Sequence, residues 1–297
     1  MAEASNTPNT NKVLNPAPYT HREVTANGIR FHLLDYGGKG NPTNKRTMLC
    51  LHGGGANAHW FDLVAGAFTP DHHVLALDLR GHGDSAWADP PIYTYDHYVD
   101  DVGKVIEALD LRDFVLMGHS MGGMVSLLHA SSPVEQRAQR IKALIVIDST
   151  LRITAAHVEG MNARGKHPGR AFATLDDYVA RFKLRPVETM ADQITLDYIA
   201  RQSARQFEDG QWRHKIDRNA MATRTPRDGV PHWKDIKIPA LLVKAALSRR
   251  LSPQIITDTQ AICPHVELVE VSQSEHHITL DNPAEFTQVV RPFLDRL

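Results

Sequence analysis

The chain has 297 residues, of which 42% are hydrophobic and 23% are charged, an ordinary balance for a globular protein that buries a substantial core. Its formal net charge is -1, so no overall electrostatic attraction favours nucleic acid or an anionic membrane as a partner. Residues 1–20 are rich in Asn, Thr, Pro and Ala, and they are predicted to be a flexible lead-in rather than a signal peptide or membrane anchor.

Extended and helical segments alternate along most of the chain, which predicts a mostly parallel sheet covered by helices on both faces. The first two extended segments are joined by Asn27-Gly28, a pair typical of a hairpin turn. The predicted strands are Arg22–Val24, Ile29–Leu34, Met48–Leu51, Val74–Leu77, Phe114–Met117, Leu144–Ile147, Ala240–Val243 and Val266–Val271. The predicted helices are Tyr95–Leu109, Leu175–Lys183, Met190–Gln206, Pro253–Ile262 and the chain from Pro283 onward.

The pattern changes between about Leu151 and His232, where charged residues are dense and no convincing strand is found. This predicts one α/β core, made of residues 21–150 and 236–297, with a helical insertion of residues 151–235 between its sixth and seventh main strands. The insertion is expected to be a cap over the carboxyl ends of the strands, where open α/β sheets bind ligands. It carries 15 Lys and Arg against 11 Asp and Glu, an excess that fits either a solvated face or an anionic substrate.

The most informative segment is Gly118–Gly123, which reads Gly-His-Ser-Met-Gly-Gly and directly follows the apolar strand Phe114–Met117. A serine at a sharp strand-to-helix turn has its hydroxyl exposed above the sheet edge, facing the first N–H groups of the helix. Glycines beside it avoid clashes with the neighbouring strand and helix. An apolar helical pattern follows, so Ser120 is predicted to be a nucleophile, with a plain tight turn as the alternative.

A serine hydroxyl needs a base to remove its proton, and that base is usually a histidine held by a carboxylate. His276 lies in the loop after the last predicted strand, shortly before Asn282-Pro283 begins the terminal helix. In the strand–serine–helix class of enzymes the base occupies such a late loop. His276 is therefore the predicted base, and His277 is the alternative.

The oxyanion formed when a serine attacks an ester needs preorganised N–H donors. One donor is expected from Met121, directly after the nucleophile, and another from the glycine run Gly53–Gly55, which follows the strand Met48–Leu51. A dinucleotide-binding glycine loop is the competing interpretation of this run. It fails because the spacing requires a glycine at position 58, which is Ala58.

Together with the segment Asp78–Ser85, these motifs resemble the α/β-hydrolase family, in its esterase, lipase and haloperoxidase-like branch, over about residues 20–297. The resemblance implies an α/β-hydrolase fold with a mostly parallel eight-stranded sheet flanked by helices. It implies that Ser120 is the nucleophile, that His276 is the base, and that Gly54 and Met121 donate to the oxyanion. The turn within Asp78–Ser85 is a structural hallmark of the family and not a catalytic element.

The acid of the triad departs from the commonest family pattern. Many relatives carry an aspartate in the loop after the seventh strand, but Lys244–Ser252 contains no acidic residue. Other members take the acid from the end of the sixth strand, where Asp148 follows Ile147. Asp148 is therefore predicted to be the acid. The alternative is a helix N-cap or a turn residue at the entrance of the insertion.

Three further residues are weaker candidates for the substrate pocket, and they are Gly53, Trp60 and His119, with plain packing as the alternative for Trp60. The histidine pairs at 72–73 and 276–277 do not predict a metal site, because adjacent side chains on a strand point to opposite faces and no cysteine cluster accompanies them.

Two cysteines, Cys50 and Cys263, lie far apart in the sequence. Cys50 belongs to a predicted buried strand, so free packed thiols are expected rather than a disulfide. This use of cysteine predicts a cytoplasmic location. The sequence sets no expectation for the oligomeric state.

The combined prediction is a cap-bearing serine hydrolase that cleaves a small-molecule carboxylic ester or lactone through an acyl-serine intermediate, with no cofactor and no metal. Two other activities share the same triad: hydrolysis of carbon–carbon bonds in ring-cleavage products, and cofactor-free perhydrolysis. A non-catalytic ligand receptor on this fold is an alternative from a different class of protein.

Overall fold

The computed structural model of the protein describes residues 14–37, 45–133 and 139–297. Residues 1–13 of the predicted N-terminal segment lie outside the described residues. Twelve strands form in the described ranges: β1 (Thr20–Ala26), β2 (Ile29–Asp35), β3 (Arg46–Leu51), β4 (His72–Leu77), β5 (Phe114–His119), β6 (Ile141–Ile147), β7 (Arg152–Ile153), β8 (Ala204–Gln206), β9 (Trp212–His214), β10 (Arg227–Asp228), β11 (Ala240–Ala245) and β12 (Glu267–Val271).

Eight of these strands form one sheet in the order β1-β2-β4-β3-β5-β6-β11-β12. All the pairs from β4 to β12 are parallel, and the antiparallel pairs are the two that β2 makes with β1 and β4. Asn27 and Gly28, with φ of 49° and 72°, form the left-handed turn between β1 and β2. The predicted opening hairpin and the mostly parallel eight-stranded sheet are confirmed.

Helices cover both faces of this sheet. They are α1 (Asp62–Phe68), α2 (Tyr95–Ala108), α3 (Met121–Ala130), α4 (Ala155–Lys166), α5 (Leu175–Arg181), α6 (Gln193–Gln202), α7 (Asn219–Ala222), α8 (Pro253–Ile262), α9 (Ile278–Asp281) and α10 (Pro283–Leu294), with short 3-10 helices at Ala58–Phe61 and Val230–Asp235. Most begin after a polar side chain that accepts a hydrogen bond from a backbone N–H of the first turn. These capping residues are Thr94, Thr154, Thr174, Asp192, Ser252 and Asn282.

Alternate residues of the central strands enter two apolar layers on opposite faces of the sheet. In β3, Leu49 and Leu51 pack in the layer that contains α2 and α3, whereas Met48 and Cys50 pack in the layer that contains α1 and α10. Both faces are covered, so these strands read as continuous apolar runs. Cys50 and Cys263 are free and buried, as predicted. The layering leaves the turns after β3, β5 and β6 together at the carboxyl edge of the sheet.

Residues 151–235, the predicted insertion, lie between β6 and β11, the sixth and seventh strands of the main sheet in chain order. The expectation that this insertion lacks strands is wrong, since β7 to β10 all lie within it. Strands of two or three residues are too short to produce a recognisable alternation of apolar and polar residues. β7 pairs with β10, so the two ends of the insertion are held side by side.

The helices of the insertion also differ from the prediction at two places. Helix α4 was not predicted, because its apolar residues follow no helical stripe. The predicted helix over Met190–Gln206 is shorter, because Asp192 caps the start of α6 and the chain turns into β8 at Ala204. Among the described residues, no helix is both long enough and apolar enough to cross a membrane.

Candidate active site

Ser120 occupies the turn between β5 and α3, with φ of 55° and ψ of -115°. L-residues rarely adopt a positive φ, so the surrounding contacts must hold this conformation. The Ser120 N–H donates to the Ile147 carbonyl at 2.9 Å, and its own carbonyl accepts the Ser149 hydroxyl at 2.8 Å. The turn therefore has the strand–serine–helix geometry that exposes a hydroxyl above the sheet.

The glycines after Ser120 allow α3 to lie against the neighbouring strand ends. A Cβ atom on Gly122 would lie 2.2 Å from the Leu51 carbonyl oxygen, and one on Gly123 would lie 1.9 Å from the Ser149 hydroxyl. Neither distance is compatible with a side chain. The sequence pattern therefore reflects close packing at the turn and not chain flexibility.

His276 lies between Ser120 and Asp148. Its Nε2 is 2.9 Å from the Ser120 hydroxyl, and its Nδ1 is 2.7 Å from Oδ2 of Asp148. The carboxylate accepts the Nδ1–H, which leaves the Nε2 lone pair to accept the hydrogen bond of the serine hydroxyl. This arrangement is able to remove the proton from Ser120.

Asp148 is fully buried and held by β11 and the loop that follows it. Its Oδ2 accepts the Ser248 hydroxyl at 2.6 Å, its Oδ1 accepts the Ala245 N–H at 3.4 Å, and its own N–H donates to Val243 at 2.8 Å. The first helix of the insertion is capped by Thr154 and not by Asp148. The capping alternative for Asp148 therefore has no counterpart in the geometry.

The pKa values of the pair favour a neutral base beside an ionised acid. Burial lowers the pKa of His276 well below its usual range, and the positive charge of Arg250 lowers it further. Burial raises the pKa of Asp148 to about 6, although the hydrogen bond from Ser248 opposes the shift. At neutral pH the imidazole therefore carries a free lone pair, while the carboxylate keeps its charge.

His277, the alternative base, points away from Ser120. Its Nε2–H donates to the Pro186 carbonyl at 3.0 Å, and its Nδ1 accepts the indole N–H of Trp60 at 3.4 Å. Trp60 is 3% exposed, and burial lowers the pKa of His277 to about 4. The two side chains therefore link the core of the protein to the insertion.

His119 and Gly53 are buried next to His276 and Ser120. The Nε2–H of His119 donates to the His276 carbonyl at 2.7 Å, and the two rings lie 4.7 Å apart. A Cβ atom on Gly53 would lie 3.1 Å from Cβ of Ser120 and 3.2 Å from Nδ1 of His119. With Trp60, these buried residues occupy supporting positions and offer little surface to a substrate.

The amides of Gly54 and Met121 lie at the loops that meet beside Ser120. The loops are joined by the Gly122 N–H, which donates to the His52 carbonyl at 3.1 Å. Within the described part of the chain, neither the Gly54 amide nor the Met121 amide donates a hydrogen bond. Both N–H groups are therefore available to a developing oxyanion.

Sequence reasoning did not identify two side chains at this site, Ser248 and Arg224. Ser248 donates a hydrogen bond to Asp148, but in the sequence the only notable feature of its loop is that it contains no acidic residue. Arg224, between α7 and β10, places Nη2 2.7 Å from the sulfur of Met121 and 3.0 Å from where a Cβ of Gly54 would lie. No local pattern distinguishes this arginine from the others of the insertion.

A second polar cluster lies beneath the turn that follows β4. Ligand atoms of His32, Asp78 and Asp84 lie within 4.8 Å of one another. Asp78 accepts hydrogen bonds from His32 at 2.8 Å and from the amides of Ala58 and Asp84 at 2.7 and 2.9 Å. Asp84 pairs with Lys215 at 2.7 Å. The three side chains are therefore engaged in contacts that stabilise the Asp78–Ser85 turn.

The sheet order and the serine turn define the α/β class of hydrolases. Residues 48–289 match the pattern of the alpha/beta hydrolase family, so the chain belongs to that family, as predicted. It is similar to the 2-(acetamidomethylene)succinate hydrolase of Mesorhizobium japonicum, with 27% identity over 84% of this chain and 87% of that protein. It is also similar to an esterase of Mycobacterium tuberculosis, with 28% identity over 84% of this chain and 82% of that protein.

Among solved structures, E-2-(acetamidomethylene)succinate hydrolase has a TM-score of 0.80 with this protein, covering 94% of this chain and 100% of that one. The identity is 22%, so this likeness shows the fold alone. The fold and the family therefore establish a hydrolase of the alpha/beta type.

Proposed function

We propose that the protein is a serine hydrolase that cleaves a carboxylic ester or lactone of small-molecule size through an acyl-serine intermediate. The observation that carries the proposal is the continuous hydrogen-bond chain from the Ser120 hydroxyl through His276 to Asp148, with distances of 2.9 and 2.7 Å. The similarity to a mycobacterial esterase supports the same class of substrate.

In the proposed reaction, Ser120 Oγ attacks the substrate carbonyl while Nε2 of His276 takes the hydroxyl proton. Asp148 accepts the Nδ1–H throughout and offsets the charge of the imidazolium. The amides of Gly54 and Met121 bind the oxyanion. The imidazolium then gives its proton to the departing alkoxide, which leaves an acyl-serine. Water, activated by the same imidazole, hydrolyses that ester and restores Ser120.

The insertion, residues 151–235, serves as a cap in this proposal. The Pro186 carbonyl of the insertion accepts the hydrogen bond of His277, next to the proposed base. Arg224 of the insertion contacts Met121, whose amide is a proposed oxyanion donor. The proposed reaction uses no cofactor and no metal, because His276 takes up or gives every proton that moves. The free, buried thiols support a cytoplasmic location, where cysteines stay reduced.

The test is covalent labelling with a fluorophosphonate, read by intact-mass spectrometry. We expect one adduct on Ser120, and we expect Ser120→Ala to lose both labelling and the turnover of p-nitrophenyl esters. Ser126→Ala is the matched control, because Ser126 is a buried serine of α3, the helix that follows Ser120, and its hydroxyl has no partner among the described residues. An active Ser120→Ala protein, or labelling that persists in it, would contradict the proposal.

The same protein is then assayed on a panel of esters, lactones, ring-cleavage diketones and amides, and for perhydrolysis. Amides are included because a relative with 27% identity is named for a substrate with an acetamido group. Fastest turnover of a diketone or an amide at Ser120 would replace the ester proposal while leaving the nucleophile in place. A protein that binds these compounds without turnover would be a receptor.

A further inference from the structure

The guanidinium of Arg224 is a buried charge for which the described residues supply no carboxylate partner. The residue is 7% exposed. Its Nε–H donates to the Ala220 carbonyl at 2.8 Å, and one Nη2–H contacts the sulfur of Met121 at 2.7 Å. The group lies 5.9 Å from the ring centre of Tyr95 and also makes a hydrogen bond with the Tyr95 side chain. Its hydrogen bonds and ion pairs within the described residues include no acidic side chain.

Within the described residues, the groups that contact the guanidinium are uncharged. A thioether sulfur is a weak acceptor, and buried charges in proteins are normally paired. The titratable groups that feel the charge are neutral, because burial raises the pKa of Tyr95 and Tyr98 and lowers that of His82. Tyr98 Oη and His82 Nε2 are themselves buried with no partner among the described residues. The surroundings of Arg224 therefore include buried polar atoms that have no hydrogen-bond partner among the described residues.

The guanidinium lies next to the reacting atoms and within reach of a ligand. Its Nη2 is 3.0 Å from where a Cβ of Gly54 would lie, and it contacts Met121, the residue after Ser120. Gly54 is exposed and Ser120 is half-buried, so a substrate reaches this place from solvent. A group bound by Arg224 is therefore only a few bonds from a carbonyl carbon held at Ser120.

We propose that Arg224 binds a carboxylate of the substrate, and that the preferred substrates are short dicarboxylic half-esters. The inference rests on the proposed function, since it names the substrate class of that same site. The parallel N–H groups of a guanidinium match the two oxygens of a carboxylate, and such charge-assisted pairs are strong when they are shielded from water. The carboxylate of a bound half-ester pairs with the guanidinium of Arg224, for which the described residues supply no negative charge.

The test compares monomethyl succinate with its neutral isostere, methyl 4-methylpentanoate, by the kcat/KM of each. We expect the native protein to prefer the half-ester by about 10- to 100-fold, the range of a charge-assisted hydrogen-bonded pair. Arg224→Met removes the charge and keeps the length of the stem, so the preference should fall to about unity. Arg224→Lys keeps the charge without the paired N–H groups and should retain part of it.

Arg201→Met is the control variant, since Arg201 is an exposed arginine of α6 that pairs with Asp176 at 2.8 Å. We expect it to keep the native preference. A native protein without preference, or an Arg224→Met protein that loses the same factor with both esters, would overturn the inference. The second result would assign Arg224 to the oxyanion or to packing.

Binding to catalytically inactive protein separates this inference from the proposed function. In a Ser120→Ala background, calorimetry should show that monomethyl succinate binds at least about 10-fold more weakly after Arg224→Met. Equal binding in the two proteins would contradict the inference whatever the turnover. If the fluorophosphonate labels Ser120 but the native protein shows no preference for the half-ester, the inference fails and the proposed function stands. If it neither labels nor turns over any ester, the proposed function fails.

Discussion

His119 donates the hydrogen bond of its Nε2–H to the main-chain carbonyl of His276, over 2.7 Å. The residue directly before the proposed nucleophile thus holds the loop that carries the proposed base. Burial and the two neighbouring imidazoles lower the pKa of His119 well below its usual range, so it stays a neutral donor. The hydrogen bond joins the end of β5 to a loop 157 residues further along the chain.

The first prediction is that His119→Leu lowers kcat by about 10- to 100-fold, because a small displacement of the base is enough to misalign the proton transfer. KM should change little, since His119 is 2% exposed. His119→Gln, whose amide also donates, should recover much of the rate. Steady-state kinetics with melting temperatures test this. Equal kcat losses in the two variants, in step with lost stability, would indicate a packing role only.

The second prediction is that Asp148→Asn keeps the fold but lowers kcat on the order of 10⁴-fold, because the amide stabilises the wrong tautomer of His276. The shape of the side chain is preserved, so circular dichroism should match the native protein. A folded variant with near-native kcat would show that the acid lies elsewhere.

The third prediction places a carboxylate on the neighbouring loop. Ser248 lies 2.6 Å from the same Asp148 oxygen that His276 contacts, whereas the side chain of Leu247 is exposed. Asp148→Asn with Ser248→Asp should therefore recover at least about 10-fold of the lost kcat. The matched variant with Leu247→Asp should recover nothing. If Leu247→Asp restored activity to Asp148→Asn and Ser248→Asp did not, the placement of the two side chains around Asp148 would be wrong.

The fourth prediction concerns pH. Activity needs an ionised Asp148 and a neutral His276, and burial raises the pKa of Asp148 to about 6. The kcat/KM should therefore be constant at neutral pH and fall as the pH drops through about 6, where the pair takes up a proton. The pH profile of kcat/KM measures this step. An inflection near pH 4, typical of an unperturbed carboxyl, would contradict the burial argument.

The fifth prediction is about the turn itself. Gly122→Ala should destabilise the protein by about 3 kcal/mol, because the new Cβ overlaps the Leu51 carbonyl and neither backbone can shift freely. Gly160→Ala, inside helix α4 where a Cβ meets nothing closer than 3.6 Å, should instead stabilise it by about 0.5–1 kcal/mol. Denaturant unfolding compares the two. Similar midpoints would show that the close packing at Gly122 is relaxed in solution.

The parts of the fold predicted from the sequence are those with a strong local signal. The sheet follows from apolar runs such as that in β5, and the hairpin follows from Asn27-Gly28, whose turn geometry only a few residue types adopt. The strands β7 to β10 carry no such signal. β7 and β10 form because β6 and β11 bring the two ends of the insertion together, whereas β8 and β9 pair with each other inside the insertion.

The site divides in the same way. Ser120 and His276 can be predicted because their chemistry requires a particular turn and a loop late in the chain. In the structure, Nε2 of His276 lies 2.9 Å from the Ser120 hydroxyl. Ser248 and Arg224 contribute through contacts between segments distant in sequence. Nothing in their own neighbourhood marks them, because a serine in a turn and an arginine in a basic insertion are both commonplace.

The hydrogen bond from Ser149 to the Ser120 carbonyl has a mechanical consequence. It fastens the residue after Asp148 to the turn at Ser120, only two positions before the insertion begins at Leu151. Any hinge for the insertion must therefore lie beyond Ser149. A movement of the insertion about such a hinge would therefore leave Asp148 and Ser120 in their relative positions.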